Sequence, residues 1–176
     1  NGKDLAKINW EEIIDSSLLN DQGFLAAFKD TFPRQPVKVD NLVVNSNDYY
    51  LIPFNRLVDA ATLNEATYVL IIVDAVDGHF KEATWSDEPM NFLPISKDAA
   101  IQKVRQASGL TTATASALLV WKPDNKSSSP YKPVWKVTIN TQIWYVNQDG
   151  VVFSPPAPTY YIKGYVKNSA GKGISG

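Results

Sequence analysis

The 176-residue chain contains no cysteine and a single histidine, His79. Without thiols it can form no disulfide, no zinc-thiolate centre and no cysteine nucleophile. One imidazole excludes multi-histidine metal sites and leaves room for a single Ser-His-Asp arrangement. No G-x-G-x-x-G or G-x-x-x-x-G-K-[ST] run is present to cradle a nucleotide phosphate, and no G-x-S-x-G marks a nucleophile elbow. The longest apolar run, YVLIIV at 68–73, is far shorter than the ~20 residues of a membrane-crossing helix. Charge of neither sign dominates: 17 lysines and arginines face 18 aspartates and glutamates. A net charge of -1 gives no field to gather phosphate backbones or anionic lipid, which argues against a nucleic-acid partner.

What the chain does have is material for a core. Hydrophobic residues make up 44% and aromatics 11%. A domain of this size buries about 70% of its extended surface, so one ordinary domain or two small ones fit. The lack of cysteine suits a reducing cytosol and a secreted bacterial or archaeal protein equally. The chain opens at Asn1 with no initiator methionine and no charged-then-apolar leader, as expected of a processed fragment, and this is no argument for the cytoplasm.

Apolar residues at three- and four-residue steps predict helix through most of 3–32: Leu5, Ile8, Trp10, Ile13, Ile14, Leu18, Phe24, Leu25, Phe28 and Phe32, with a break and new cap near 20–22. PVKVDNLVV and DYYLIPF read as strands joined by the NSND turn. Residues 55–66 are ambiguous, with a short helix after Asp59 as one option. YVLIIVDAVDGHFKEATW turns through Asp77-Gly78 into a second strand, a strong hairpin signal, and 86–94 reads as a connection. Ser96 caps a helix over SKDAAIQKVRQAS, which buries Ala100, Ile101, Val104 and Ala107 and stops at Gly109. Strands TASALLVWK, YKPVWKVTIN and TQIWYVN follow, the last returning through Asp149-Gly150. PDNKSSSP at 123–130 is loop by composition, and SPPAP at 154–158 is an extended linker.

The two halves repeat an order: helix, strands, then an apolar strand entering an Asp-Gly turn, in IIVDAVDGHF and in WYVNQDGVVF. PISKDAAIQKVRQASG followed by YKPVWKVTINTQIWYVNQDGVV resembles a PepSY domain, a small extracytoplasmic α+β module ending in a hairpin, and VDAVDGHF (73–80) resembles that ending in the first half. The resemblance covers 94–153 best and 20–85 more loosely. It implies an α+β fold of two tandem PepSY-like units, each a helix packed on an antiparallel sheet, preceded by an N-terminal helical segment. The domains expected are 1–93, 94–153, a linker at 154–159 and 160–176. That last stretch, YYIKGYVKNSAGKGISG, resembles the truncated first strand of a carboxypeptidase-regulatory-like β-sandwich. The PepSY resemblance further implies a secreted or cell-surface microbial protein, no catalytic residues, no cofactor, and a regulatory or inhibitory role toward a polypeptide such as a protease domain in the same chain.

Candidate chemistry is sparse. His79 sits beside a turn with no nucleophile signature to pair with it. Asp74 and Asp77 lack the alternating oxygens and distal glutamate of a calcium loop, and turn-forming aspartates account for them. Asn125-Lys126-Ser127 matches a glycosylation acceptor of low specificity. In YKPVWKVTI, alternation puts Tyr131, Pro133, Trp135, Val137 and Ile139 on one face, which should meet the helix. Trp85, Trp121, Trp144 and Tyr145 are the candidate binding residues, as rings at strand ends or on a strand apolar on both faces. Three functions are therefore weighed: a non-catalytic protein-binding module using a sheet edge or the 123–130 loop, a carbohydrate or cell-wall binding module using exposed aromatics, and, ranked last, a hydrolase built on His79.

Overall fold

The computed structural model describes residues 13–59, 61–123 and 129–154. After a single turn of 3-10 helix at Leu18–Asn20, helix α1 spans Gln22–Phe28. Asp21 starts it, its carboxylate accepting the Phe24 N–H at 2.8 Å. Five strands follow: β1 (Phe32–Pro33), β2 (Val37–Asn41), β3 (Tyr49–Asp59), β4 (Asn64–Asp74) and β5 (Phe80–Met90). Helix α2 spans Lys97–Ser108, and β6 (Ala115–Trp121), β7 (Val134–Ile139), β8 (Gln142–Val146) and β9 (Val152–Phe153) complete the order. Both ends of α2 are set by the sequence. The Ser96 hydroxyl accepts the Ala99 N–H at 3.2 Å, and Gly109, at φ 74, donates its N–H back to the Arg105 carbonyl.

The expected fold class, α+β with two tandem helix-on-sheet units, is overturned. The protein is mostly β: nine strands form one mixed sheet in the order β5-β4-β3-β2-β6-β7-β8-β9, with β1 added beside β3. Its seam is the parallel pairing of β2 with β6, Asp40 against Val120 and Asn41 against Trp121. The Leu42 N–H extends it by donating to the Trp121 carbonyl at 2.8 Å. All other pairings are antiparallel. A strand recruits its neighbour through backbone groups that every residue carries, so nothing in the side-chain pattern of 37–41 announces a partner so far along the chain.

Local expectations are corrected too. Within the described part of 3–32, Gln22–Phe28 is α-helix, Leu18–Asn20 is a single 3-10 turn, and Phe32 begins a strand. Residues 55–59 and 61–66 are strand, turn and strand rather than helix. The Asp59 carboxylate accepts from the Ala61 N–H at 2.9 Å and the Thr62 hydroxyl at 2.6 Å, and Leu63 takes a left-handed conformation at φ 55. Strand β5 continues to Met90, through what composition suggested was a connection. The N-terminal stretch 1–12, the Asn125-Lys126-Ser127 acceptor and the 160–176 strand lie outside the described residues.

Three apolar clusters hold the sheet. Phe24 and Ala27 of α1 pack with Ile52, Phe54, Val69, Ile71 and Val73. Ala100 and Val104 of α2 pack with Ala117, Val137, Ile139 and Val146, with Trp135 and Trp144 partly buried beside them. Val39, Tyr49, Leu51, Ile72 and Leu119 form the third cluster across the seam, roofed by Phe92, Leu93, Trp121 and Tyr131. Successive strand residues point to opposite faces. Ile71 belongs to the α1 cluster and Ile72 to the seam cluster, whereas Ala117 of the α2 cluster and Leu119 of the seam cluster share a face. Helices α1 and α2 therefore cover opposite faces at opposite ends of one sheet.

Candidate functional site

The four aromatic residues singled out from the sequence do not converge. Trp85 lies on β5 opposite Val69, half-buried on the α1 face, with its ring edge-on to Phe24 at 5.4 Å. Trp121 closes β6 in the seam cluster, edge-on to Tyr49 at 6.3 Å. Trp144 packs into the α2 cluster. Its neighbour Tyr145 points to the other face and stacks on Phe153 at 5.6 Å and 19°. Trp85 and Tyr145 share a face but stand on β5 and β8, six strand spacings apart in the sheet order, roughly 29 Å. The indole N–H groups of Trp121 and Trp144 are buried without a hydrogen-bond partner, so both rings are used as apolar mass. Trp135 faces α2 as the alternation predicts, its N–H donating to the Ile95 carbonyl at 2.6 Å.

The acidic candidates are turn-formers. Asp74 is buried at the end of β4 and accepts from the Val76 N–H at 2.8 Å, the Asn47 amide at 3.0 Å and the Lys81 ammonium at 3.0 Å. Those donors, the Val76 backbone first, hold its carboxyl well below the usual carboxylate range. Asp77 accepts the His79 N–H at 2.9 Å, and that bond likewise lowers its carboxyl. The His79 ring lies 3.0 Å from the Asp77 carboxylate with a side chain 83% exposed. A general base there would work in open water on a turn. Among the described residues no three His, Cys, Asp or Glu side chains group to hold a metal ion. Among them also, no helix is long and apolar enough to cross a membrane.

The feature that residue-type reasoning did not locate is the margin of the sheet. Strand β5 is eleven residues long and, among the described residues, pairs with β4 alone, which leaves its other side without a strand there, while β9 at the opposite margin has two residues. Pairing with β4 is regular from Glu82 to Trp85, where Glu82 faces Ile72, Ala83 faces Ile71, Thr84 faces Leu70 and Trp85 faces Val69. The register shifts on either side, before Phe80 opposite Val73 and again before Met90 opposite Thr67. Phe80, Ala83 and Trp85 fix the strand to the α1 cluster. On the other face, desolvation raises the Glu82 carboxyl, and the hydroxyls of Tyr49 and Tyr131 are pushed up by burial and by the Glu82 charge. Tyr49 donates to the Pro130 carbonyl at 2.8 Å, whereas the Tyr131 hydroxyl is buried without a partner. The sequence signal for this margin was the long β-rich run after Asp77-Gly78. Nothing in it distinguishes a margin strand from an interior one except its charge: Lys81, Glu82, Asp87 and Glu88.

Comparison with protein-family models, with curated proteins and with solved structures finds no match to this chain. The PepSY resemblance therefore stands on the quoted residues alone.

Proposed function

We propose that the protein is a non-catalytic binding module that takes up an extended polypeptide strand along β5. The observation that carries this reading is that, among the described residues, the eleven-residue strand β5 pairs on one side only, with β4, in regular register from Glu82 to Trp85. An open edge presents a row of N–H and C=O groups at strand spacing, which is the template used in β-strand addition. Phe24, packed against the Trp85 ring, keeps the strand seated on the α1 cluster, so the edge is preorganised and an incoming strand need not order it. In the setting that the PepSY resemblance implies, a secreted or surface-attached microbial protein, the strand belongs to another polypeptide, with a protease domain of the same full-length protein among the candidates.

A displayed library of nine-residue extended peptides tests this. Enriched peptides should slow amide exchange over residues 80–90 and leave β7 and β8 unchanged. Either Ala83→Pro or Thr84→Pro removes an outward N–H and keeps the fold, because neighbouring amides of a strand point to opposite sides. That variant should lose binding. Peptides that protect other segments only, or a library that yields no binder, would refute the reading.

A further inference from the structure

We infer that the strand accepted at β5 carries a lysine or arginine beside Glu82, with apolar residues one and three positions along from it. The inference rests on the binding role of this edge and names the chemistry of its occupant. It uses only Glu82 to Trp85, the stretch in regular register with β4.

Within that stretch the two faces differ. Ala83 and Trp85 oppose Ile71 and Val69 and pack on the α1 cluster, while Glu82 and Thr84 oppose Ile72 and Leu70 on the other face. A strand added along β5 alternates in step, whichever direction it runs. When one of its residues lies beside Glu82, those one and three positions along lie beside Ala83 and Trp85. Next to the half-buried indole, apolar side chains are the favourable neighbours.

Charge calls for the cation. Lys81 is engaged by the Asp74 carboxylate at 3.0 Å, whereas Glu82, Asp87 and Glu88 have no ion-pair partner among the described residues. Glu82 is exposed, yet its surroundings already strip some of its water, and this desolvation raises its carboxyl. Tyr131 roofs the cluster that contains Ile72, the residue opposite Glu82, and its hydroxyl is buried without a hydrogen-bond partner. A carboxylate short of water and an unpaired phenol oxygen are both satisfied by the N–H groups of a cation, whereas a carboxylate on the incoming strand would be repelled. Edge charge can also guard a sheet against strands of every kind. The two roles part on charge reversal: a guard, once removed, admits strands without regard to their charge, whereas a receptor changes its choice.

The displayed nine-residue library, selected in parallel on the native chain, Glu82→Gln, Glu82→Lys and Asp87→Asn, separates them. On the native chain, enriched peptides that slow exchange over 80–90 should carry Lys or Arg, with apolar residues one and three positions along. Replacing that basic residue by glutamine in a synthetic copy of an enriched peptide should weaken binding about fivefold. Glu82→Gln, which relieves a desolvated charge and so keeps the fold, should produce the same loss, and the two changes together no further loss. Glu82→Lys should enrich Asp or Glu at that position. Asp87→Asn removes an equal charge from the irregular stretch and should leave the preference as it was. Peptides that protect 80–90 without a basic preference, or a preference that persists in Glu82→Gln and Glu82→Lys or disappears in Asp87→Asn, overturn the inference and leave the strand-binding role standing. A library that yields no binder at 80–90 overturns both.

Discussion

Phe24→Ala is the perturbation that most directly connects core packing to the binding edge. The ring is fully buried, lies 5.3 Å from Phe28 and 5.4 Å from Trp85, and is the largest side chain through which the seven-residue α1 grips the sheet. Truncating a buried phenylalanine costs about 3–5 kcal/mol, and aromatic partners contribute about 0.5–1.5 kcal/mol each beyond area. With two partners and a helix too short to persist alone, about 4 kcal/mol is expected. For a slope near 2 kcal/mol per molar urea, the unfolding midpoint should fall by about 2 M. Phe24→Leu, which keeps most of the volume, should lose about 1.5 kcal/mol or less. A cycle with Trp85→Ala should return a coupling near 1 kcal/mol, and faster amide exchange over 80–90 should accompany the loss because Trp85 no longer has its buttress. A loss below about 1 kcal/mol for Phe24→Ala, with the slope unchanged, would mean that α1 does not dock on β4 and β5. The preorganisation of the edge would then have no basis.

Three further expectations concern individual sites. The Asp74 carboxyl is held below its ordinary value by the Val76 N–H, Asn47 and Lys81, so its contribution is fully present above the unfolded-state pKa of about 3.9 and is lost as pH falls through the folded value. The stability gap between the native chain and Asp74→Asn should therefore narrow from pH 5 toward pH 2 in urea titrations; a gap that widens toward acid would contradict the geometry. Leu63 holds a left-handed conformation and is 72% exposed, so Leu63→Gly should raise stability by about 1 kcal/mol in thermal unfolding. Trp135→Phe removes the N–H donated to Ile95 and leaves that carbonyl without this donor, which should cost about 1–3 kcal/mol by urea unfolding.

Features set by short-range chemistry were legible. Ser96 and Gly109 bound α2 because a hydroxyl acceptor and a positive φ are properties of those residues. Asp77-Gly78 turns β4 into β5 because Gly78 sits at φ 78 and Asp77 caps the loop. The alternation in 131–139 placed Trp135, Val137 and Ile139 toward α2. Two kinds of error arose where local signals compete. Around Asp59 the pattern left helix open, yet the carboxylate bonds to Ala61 and Thr62 and closes a hairpin. Near the N-terminus the phenylalanines spaced like a helix stripe are divided between α1 and β1, because Phe32 lies on a strand facing Asn55.

The candidate site shows the same division more sharply. Residue type drew notice to Trp85, Trp121, Trp144 and Tyr145, since indoles and phenols serve both ligands and cores. Only the packed chain assigns Trp121 to the seam and Trp144 to α2, on the face opposite Trp85 and Tyr145.

The sequence by itself determined the turn from β4 into β5, where α2 begins and ends, and that no thiol or multi-histidine chemistry is available. Tertiary structure alone decided that β2 meets β6, that α1 and α2 occupy opposite faces, and that β5 is left at the margin. Side-chain periodicity encodes a strand's faces, whereas its neighbours are chosen through backbone groups common to all residues, and that choice is settled by the energy of the whole assembled sheet.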